Sequence, residues 1–182
     1  MGLANTRGSW GAIAKAFHWV IALLVFCMIA LGWYAELLPR SPEKLEFFAL
    51  HKATGVLILG FMVLRLLWRL VNPTPILPPS LKGWEKAAAI GTHWLLYLVV
   101  FLMPISGYVL NSAKNFPFTF FGLFPVPLLV GRDRELAHLM EGVHEWTSWA
   151  LIGLLALHIL AALRHHFILR DEVLRRMLPG RQ

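Results

Sequence analysis

The chain has 182 residues, of which 58% are hydrophobic and only 15% are charged. Soluble domains carry about 25% charged residues, so this composition excludes a disordered chain and argues against a soluble enzyme. The single cysteine, Cys27, excludes an intrachain disulfide and a metal site built from several cysteines. We therefore expect a polytopic membrane protein with room for four helices and no large extra domain.

The net charge of +7 comes from basic residues that cluster at the ends of apolar runs. A nucleic-acid-binding protein would surround such residues with a recognisable module, and the sequence shows none. We therefore predict no nucleic-acid partner. The placement of the basic residues instead fits contact with membrane lipid.

Four apolar segments predict an all-α integral membrane four-helix bundle, with residues 1–182 forming a single transmembrane domain. The predicted helices span about residues 10–35, 47–71, 84–110 and 144–169. Near the end of the second helix, Arg65 and Arg69 share a face from which their side chains can snorkel to the lipid headgroups. The longest loop, 111–143, contains the aromatic sequence FPFTFFGLFPVP, which we expect in the membrane interface.

Basic residues also set the predicted orientation, because cytoplasmic loops carry an excess of Lys and Arg. The N-terminus, the second loop and the C-terminus share the larger set: Arg7, Lys15, Arg65, Arg69, Lys82, Lys86, Arg164, Arg170, Arg175, Arg176 and Arg181. The opposite side has the smaller set: Arg40, Lys44, Lys52, Lys114, Arg132 and Arg134. Both termini are therefore predicted to be cytoplasmic.

Histidines are the residues that point to chemistry, because ionisable side chains inside a bilayer are costly and mark functional sites. Since the helices alternate in direction, His18, His93 and His158 fall toward the inner side, and His51 and His144 toward the outer side. His144 and His158 are separated by 14 positions. That spacing is about 21 Å along a helix and about 40° in azimuth, so both face the same interior at two levels.

Histidines at two levels indicate two separate one-iron sites, because neutral imidazole is a common axial ligand of haem iron. By depth, His51 pairs with His144. The partner of His18 is either His158 or His93, and we prefer His158 because it shares a face with His144. Two histidines per iron leave no open coordination position, which favours electron transfer.

His93 and His165 remain on the inner side after this pairing. Either imidazole could hydrogen-bond a quinone carbonyl and exchange its proton, or it could face the lipid headgroups. The sequence shows no catalytic triad, phosphate-binding glycine loop or paired-carboxylate site, so we predict no catalytic residue of those kinds.

From about Ala14 to Pro179, the sequence resembles the bacterial cytochrome b561 family. The matching stretches are AFHWVIALL around His18, LHKATGVLILGFMVLRLLWRLVNPTP around His51, HWLLYLVVFLMPISGYVLNSA from His93, and VHEWTSWALIGLLALHILAALRHHFILRDEVLRRMLP through His144 and His158. Together, in this order and spacing, these stretches are specific for that family.

The resemblance implies two b-type haems, one held by His18 with His158 and one by His51 with His144. It also implies that ubiquinone binds on the inner side, at the positions matching His93 and His165. We adopt both assignments as expectations.

Members of the family with superoxide oxidase activity take an electron from superoxide on the outer side and pass it to ubiquinone. Positive residues near the outer haem would attract the superoxide anion. Lys52, Arg132 and Arg134 are the candidates here.

The predicted function is therefore that of a diheme cytochrome in the bacterial inner membrane, carrying electrons between a periplasmic one-electron donor, with superoxide as a candidate, and ubiquinone. Whether the chain is itself an enzyme, a superoxide:ubiquinone oxidoreductase, stays open. The alternative is a cytochrome b anchor subunit that docks an electron-donating partner such as a hydrogenase or a dehydrogenase. A third hypothesis, a transport protein with histidines as a proton relay, predicts a colourless protein.

Overall fold

The computed structural model describes residues 2–79 and 81–178. Four long helices dominate this part of the chain: α1 (Ala12–Leu37), α2 (Pro42–Val71), α3 (Gly83–Ala113) and α4 (Arg134–Leu163). Each is long and apolar enough to cross a membrane. The prediction of a mostly helical protein with four membrane-capable helices is therefore confirmed.

Most apolar side chains of the helices face outward. In the most apolar stretch of each helix, only 11–22% of the residues are buried within the protein. Such a surface requires lipid as its solvent, because contact between this much apolar surface and water would cost a large free energy. The buried centre of the bundle draws on all four helices: Ile21, Val25, Ile58, Met62, Tyr97, Val99, Val100 and Leu151.

Two helices begin earlier than the sequence predicted. α4 starts at Arg134 rather than near residue 144, and the Asp133 carboxylate caps it by accepting a hydrogen bond from Leu136 N at 3.0 Å. α2 starts at Pro42 rather than near residue 47, with the Ser41 hydroxyl as its cap. The α2 extension is one mostly polar turn, whereas the α4 extension mixes charged and apolar residues over almost three turns, so a search for continuous apolar runs misses both.

After Leu163, the α4 path continues as a π-helical turn, Arg164–Leu169, and ends at Arg170 with φ 54°. A short 3₁₀ turn, Arg175–Met177, follows. π-Helical turns are rare and occur frequently at functional sites. This one carries His165.

The loop between α3 and α4 contains a β-hairpin of two antiparallel strands, β1 (Phe118–Phe120) and β2 (Phe124–Val126). Phe121 and Gly122 turn the hairpin with positive φ angles of 49° and 76°, and glycine adopts the second without strain. The Phe120 and Phe124 rings stack across the strands at 5.2 Å. The hairpin packs beside α2, where it covers Lys52.

The N-terminal segment, the link between α2 and α3, and the C-terminal segment meet at one end of the bundle. Ile76 N donates to Arg7 O at 2.9 Å, and an Arg176 guanidinium nitrogen donates to Ile76 O at 3.0 Å. The Lys15 ammonium donates to Leu178 O at 2.9 Å. The three segments that carry the larger basic set therefore lie together.

Candidate functional site

Two pairs of histidines face each other between the helices. The ring centres of His51 and His144 lie 6.4 Å apart, and those of His18 and His158 lie 6.2 Å apart. In each pair, one histidine comes from α4 and the other from α1 or α2. These are the same pairs that the sequence proposed as haem ligands.

The spacing within each pair suits an iron ion bound between two imidazoles. Metal–imidazole bonds are about 2 Å long, which places the two ring centres about 6 Å apart. Among residues 2–79 and 81–178, no three His, Cys, Asp or Glu side chains converge to hold a metal ion together. The residues present therefore fit a metal with two axial histidines rather than a closed three- or four-ligand cluster.

The His144 ring is oriented by hydrogen bonds at its Nδ1 nitrogen. Its Nδ1 lies 3.1 Å from Met103 O and 3.1 Å from the Ser106 hydroxyl, which itself donates to Met103 O at 2.9 Å. Because a carbonyl oxygen can only accept, Nδ1 carries the proton and Nε2 keeps a lone pair. Metal-ligating histidines are usually fixed in this way by a carbonyl behind the ring.

Glycines on neighbouring helices make room for the imidazoles of His144 and His51. A Cβ placed on Gly107 of α3 would lie 3.0 Å from His144 Cε1, and one on Gly32 of α1 would lie 3.1 Å from His51 Cε1. Carbon atoms pack best at about 3.5–4.0 Å, so neither position accepts a side chain without moving the ring. The two glycines therefore cradle the two outer histidines.

His51 differs from His144 in its hydrogen bonding. Its Nδ1 is buried and has no partner among the described residues. A buried polar nitrogen without a partner is costly and marks a functional site or a missing group. The ring nevertheless lies beside Gly32 and opposite His144, which is where a second ligand of an iron bound to His144 would lie.

His158 has two histidine neighbours, His18 and His93. Its ring centre is 6.2 Å from that of His18 and 5.4 Å from that of His93. The first spacing matches two axial ligands of one metal, and the second is shorter than that arrangement requires. His18 is therefore the better partner, and His93 is a neighbour of the site.

Arg65 does not reach for the headgroups as the sequence suggested. Its guanidinium lies 3.2 Å from His18 Nδ1 and over the Tyr97 ring at 5.4 Å. Arg69 also stays beside the bundle, over the rings of Trp94 and Tyr97. The snorkelling interpretation of Arg65 is wrong, because aromatic rings of α3 and a histidine of α1 hold the cation inside.

His165 is fixed by a carboxylate that the sequence analysis missed. Its Nδ1 is hydrogen-bonded to one Asp171 oxygen, and the other Asp171 oxygen accepts from Val173 N at 3.0 Å. The π-helical turn and the positive φ of Arg170 bring these two side chains together. The pair leaves His165 Nε2 as the nitrogen available for a ligand.

The three basic residues proposed for attracting an anion fall into two settings. The Lys52 ammonium is half-buried over the rings of Phe116 and Phe118, at 5.6 and 5.9 Å. Arg132 and Arg134 are exposed and line a cavity of about 360 Å³ at the start of α4. Only the two arginines are therefore open to an approaching anion.

Sequence reasoning missed Gly32, Gly107, Ser106 and Asp171. The two glycines serve histidines on other helices, so the sequence carries no local sign of them. Asp171 comes six positions after His165, but an ordinary helix would not bring their side chains together.

Comparison with known proteins identifies the family. The sequence model described as prokaryotic cytochrome b561 matches residues 9–180. The chain is 36% identical over 185 residues to cytochrome b561 homolog 2 of Escherichia coli strain K12, an alignment that covers 98% of this chain and 95% of the relative. It is 31% identical over 171 residues to cytochrome b561 homolog 1 of the same organism, covering 91% and 94%.

A third relative has a functional name. The chain is 30% identical over 176 residues to the probable superoxide oxidase CybB of Yersinia pestis, covering 95% of this chain and 97% of the relative. The family match spans nearly the full length, and it agrees with the four apolar helices and the paired histidines. The chain therefore belongs to the prokaryotic cytochrome b561 family of haem-binding membrane cytochromes that transfer electrons.

Proposed function

We propose that the chain carries electrons across the bacterial inner membrane through two b-type haems. His51 and His144 would hold the outer haem, and His18 and His158 the inner one. The observation that supports this proposal is the distance between the ring centres in each histidine pair, 6.4 Å and 6.2 Å, at two levels of one bundle. Bound haem would supply reversible one-electron oxidation and reduction of its iron.

The proposed orientation has both termini in the cytoplasm and the haems stacked across the membrane. It is supported by the meeting of the N-terminal segment, the α2–α3 link and the C-terminal segment at one end of the bundle. These segments carry most of the basic residues, which favours the cytoplasmic side. The outer histidine pair then lies nearer the periplasm.

The proposed outer donor is superoxide, as the name of the Yersinia pestis relative suggests for that protein. Arg132 and Arg134 give the outer end an exposed positive surface that would raise the local concentration of a small anion. Two superoxide anions would each lose one electron and leave as dioxygen. One ubiquinone would accept the two electrons and two protons and leave as ubiquinol.

The proposed ubiquinone site lies at the inner end, near His93 and His165. His165 would hydrogen-bond a quinone carbonyl through Nε2 and deliver a proton to it. The Asp171 carboxylate supports that role, because it accepts the Nδ1 hydrogen and holds the ring with Nε2 free for the quinone. His93 lies beside His158, so a quinone near it would be close to the inner haem.

The test is the haem content of single histidine variants of the purified, detergent-solubilised protein. We expect two low-spin b-type haems per chain in the native protein. His144→Ala should lose only the outer haem and His158→Ala only the inner one, whereas His138→Ala, a change at an exposed histidine near the start of α4, should lose neither. Retention of both haems in either ligand variant would refute the proposed assignment.

The anchor-subunit alternative gains no support from the relatives, whose names describe cytochrome b561 homologs and a superoxide oxidase. Quinone reduction by the isolated chain supplied with superoxide would confirm independent function. Activity that appears only with a stoichiometric, co-purifying protein would favour the anchor subunit instead.

A further inference from the structure

Two arginines lie within the membrane-spanning part of the protein without a carboxylate to neutralise them. Arg65 and Arg69 occupy the last two turns of α2, and both guanidinium groups flank the buried Tyr97 ring, at 5.4 and 5.3 Å. Within residues 2–79 and 81–178, neither arginine takes part in a salt bridge. The rings of Tyr97 and Trp94 cover them, and Arg65 also contacts the His18 imidazole.

Such an arrangement needs an anion. Arginine cannot lose its proton in a protein, so both side chains stay charged. A cation in the hydrocarbon region is costly unless it faces the bundle interior and finds an acceptor there. Cation–π contact supplies only part of what water or a carboxylate would give.

The contact between Arg65 and His18 narrows the identity of that anion. If His18 ligates iron through Nε2, its Nδ1 carries a proton and donates. The Arg65 guanidinium, 3.2 Å away, has only donors. Two donors that face each other are stable when an acceptor oxygen serves them both.

We propose that Arg65 and Arg69 bind the propionate carboxylates of the inner haem. The proposal rests on the proposed function, since it assumes that His18 and His158 hold that haem. Guanidinium and carboxylate form paired, charge-assisted hydrogen bonds, and two arginines match the two propionates of one haem b. Arg65 points inward against His18, which favours a haem propionate over a lipid phosphate as its anionic partner.

The first experiment measures the reduction potentials of both haems in Arg65→Gln and Arg69→Gln. Removing a cation from beside the inner haem disfavours the reduced, more negative form. We expect the inner-haem potential to fall by the equivalent of a tenfold change in equilibrium constant, about 59 mV for one electron. The outer-haem potential should not change. Arg40→Gln removes the same charge from an exposed position near the opposite end and should shift neither potential comparably.

The second experiment replaces the carboxylates rather than the arginines. Apoprotein is reconstituted with haem b or with its dimethyl ester, whose propionates carry no charge. In the native protein, the ester should bind the inner site at least tenfold more weakly than haem b. In Arg65→Gln this difference should shrink. If Arg65→Gln fails to fold, Arg65→Lys should keep the charge but lose part of the discrimination, because an ammonium lacks the forked geometry.

The outcomes separate this proposal from the histidine assignment. Inner-haem potentials and ester affinities that are unchanged in the arginine variants, with both haems bound, would overturn the propionate contact alone. A shift in the inner potential that persists equally with the esterified haem would also overturn it, since the arginines would then act on another anion. Absence of an inner haem from the native protein would defeat the proposed function itself.

Discussion

Replacing Gly107 by alanine should weaken the outer haem site, because the new methyl group meets the His144 imidazole. The added Cβ would lie 3.0 Å from His144 Cε1 and 3.3 Å from its Nδ1. Since carbon atoms pack best at about 3.5–4.0 Å, the ring has to retreat by at least about 0.5 Å. Ligand positions in a functional site tolerate about that displacement and no more.

The size of the effect follows from the cost of overpacking. Forcing an extra methyl group into a filled site costs about 1–3 kcal/mol, and each 1.4 kcal/mol is about tenfold in affinity. The ring cannot simply rotate away, because hydrogen bonds with Met103 O and the Ser106 hydroxyl hold its Nδ1. We therefore expect the affinity of Gly107→Ala for the outer haem to fall about ten- to a hundredfold.

The measurement is the haem-to-protein ratio together with the rate at which excess apomyoglobin removes the outer haem. Gly91→Ala is the matched control, because Gly91 lies in the same helix and its added Cβ meets nothing within 4 Å. Both substitutions gain helix propensity, up to about 1 kcal/mol, so a difference between them isolates the clash. Equal outer-haem loss from the two variants would refute the reasoning that Gly107 makes room for a ligand.

Two further predictions address the ends of the electron path. Asp171→Asn should slow ubiquinone reduction about tenfold or more with both haems retained, because His165 loses the carboxylate that orients its ring. The variant Glu172→Gln, at an exposed neighbouring residue, should not slow it, and equal rates in the two variants would contradict the role of Asp171. Replacing Arg132 and Arg134 by glutamine should slow haem reduction by superoxide and weaken its dependence on salt, as stopped-flow absorbance measures. An unchanged rate at low salt would exclude steering by these arginines.

The sequence predicts the four membrane-capable helices because each contains an apolar run longer than a soluble core needs. It predicts the histidine pairs for a related reason. An imidazole in such a run is rare, and alternating helix direction sets its depth. Depth pairs His51 with His144 but leaves His18 with either His158 or His93, and the resemblance to the family selects His158; in the structure the rings of both pairs face each other. Depth and helical periodicity are one-dimensional quantities, and they can be counted along the chain.

The features that the sequence does not predict are contacts between helices. Gly32 and Gly107 are ordinary membrane-helix glycines until His51 and His144 are placed against them. The pairing of His165 with Asp171 depends on a π-helical turn, which the hydrophobic periodicity of the sequence does not predict. These features depend on three-dimensional packing, where one ångström decides which atoms touch.

The orientation of the Arg65 side chain also depends on contacts between helices, which the sequence does not predict. Along the chain it stands near the end of an apolar segment, which is where arginines normally reach out to phosphate headgroups. In the structure the same side chain turns toward His18 and Tyr97, so the choice is decided by partners on α1 and α3. A cation placed in the bundle interior rather than at the headgroups needs negative charge there, which is why we propose the propionates of the inner haem as its partners.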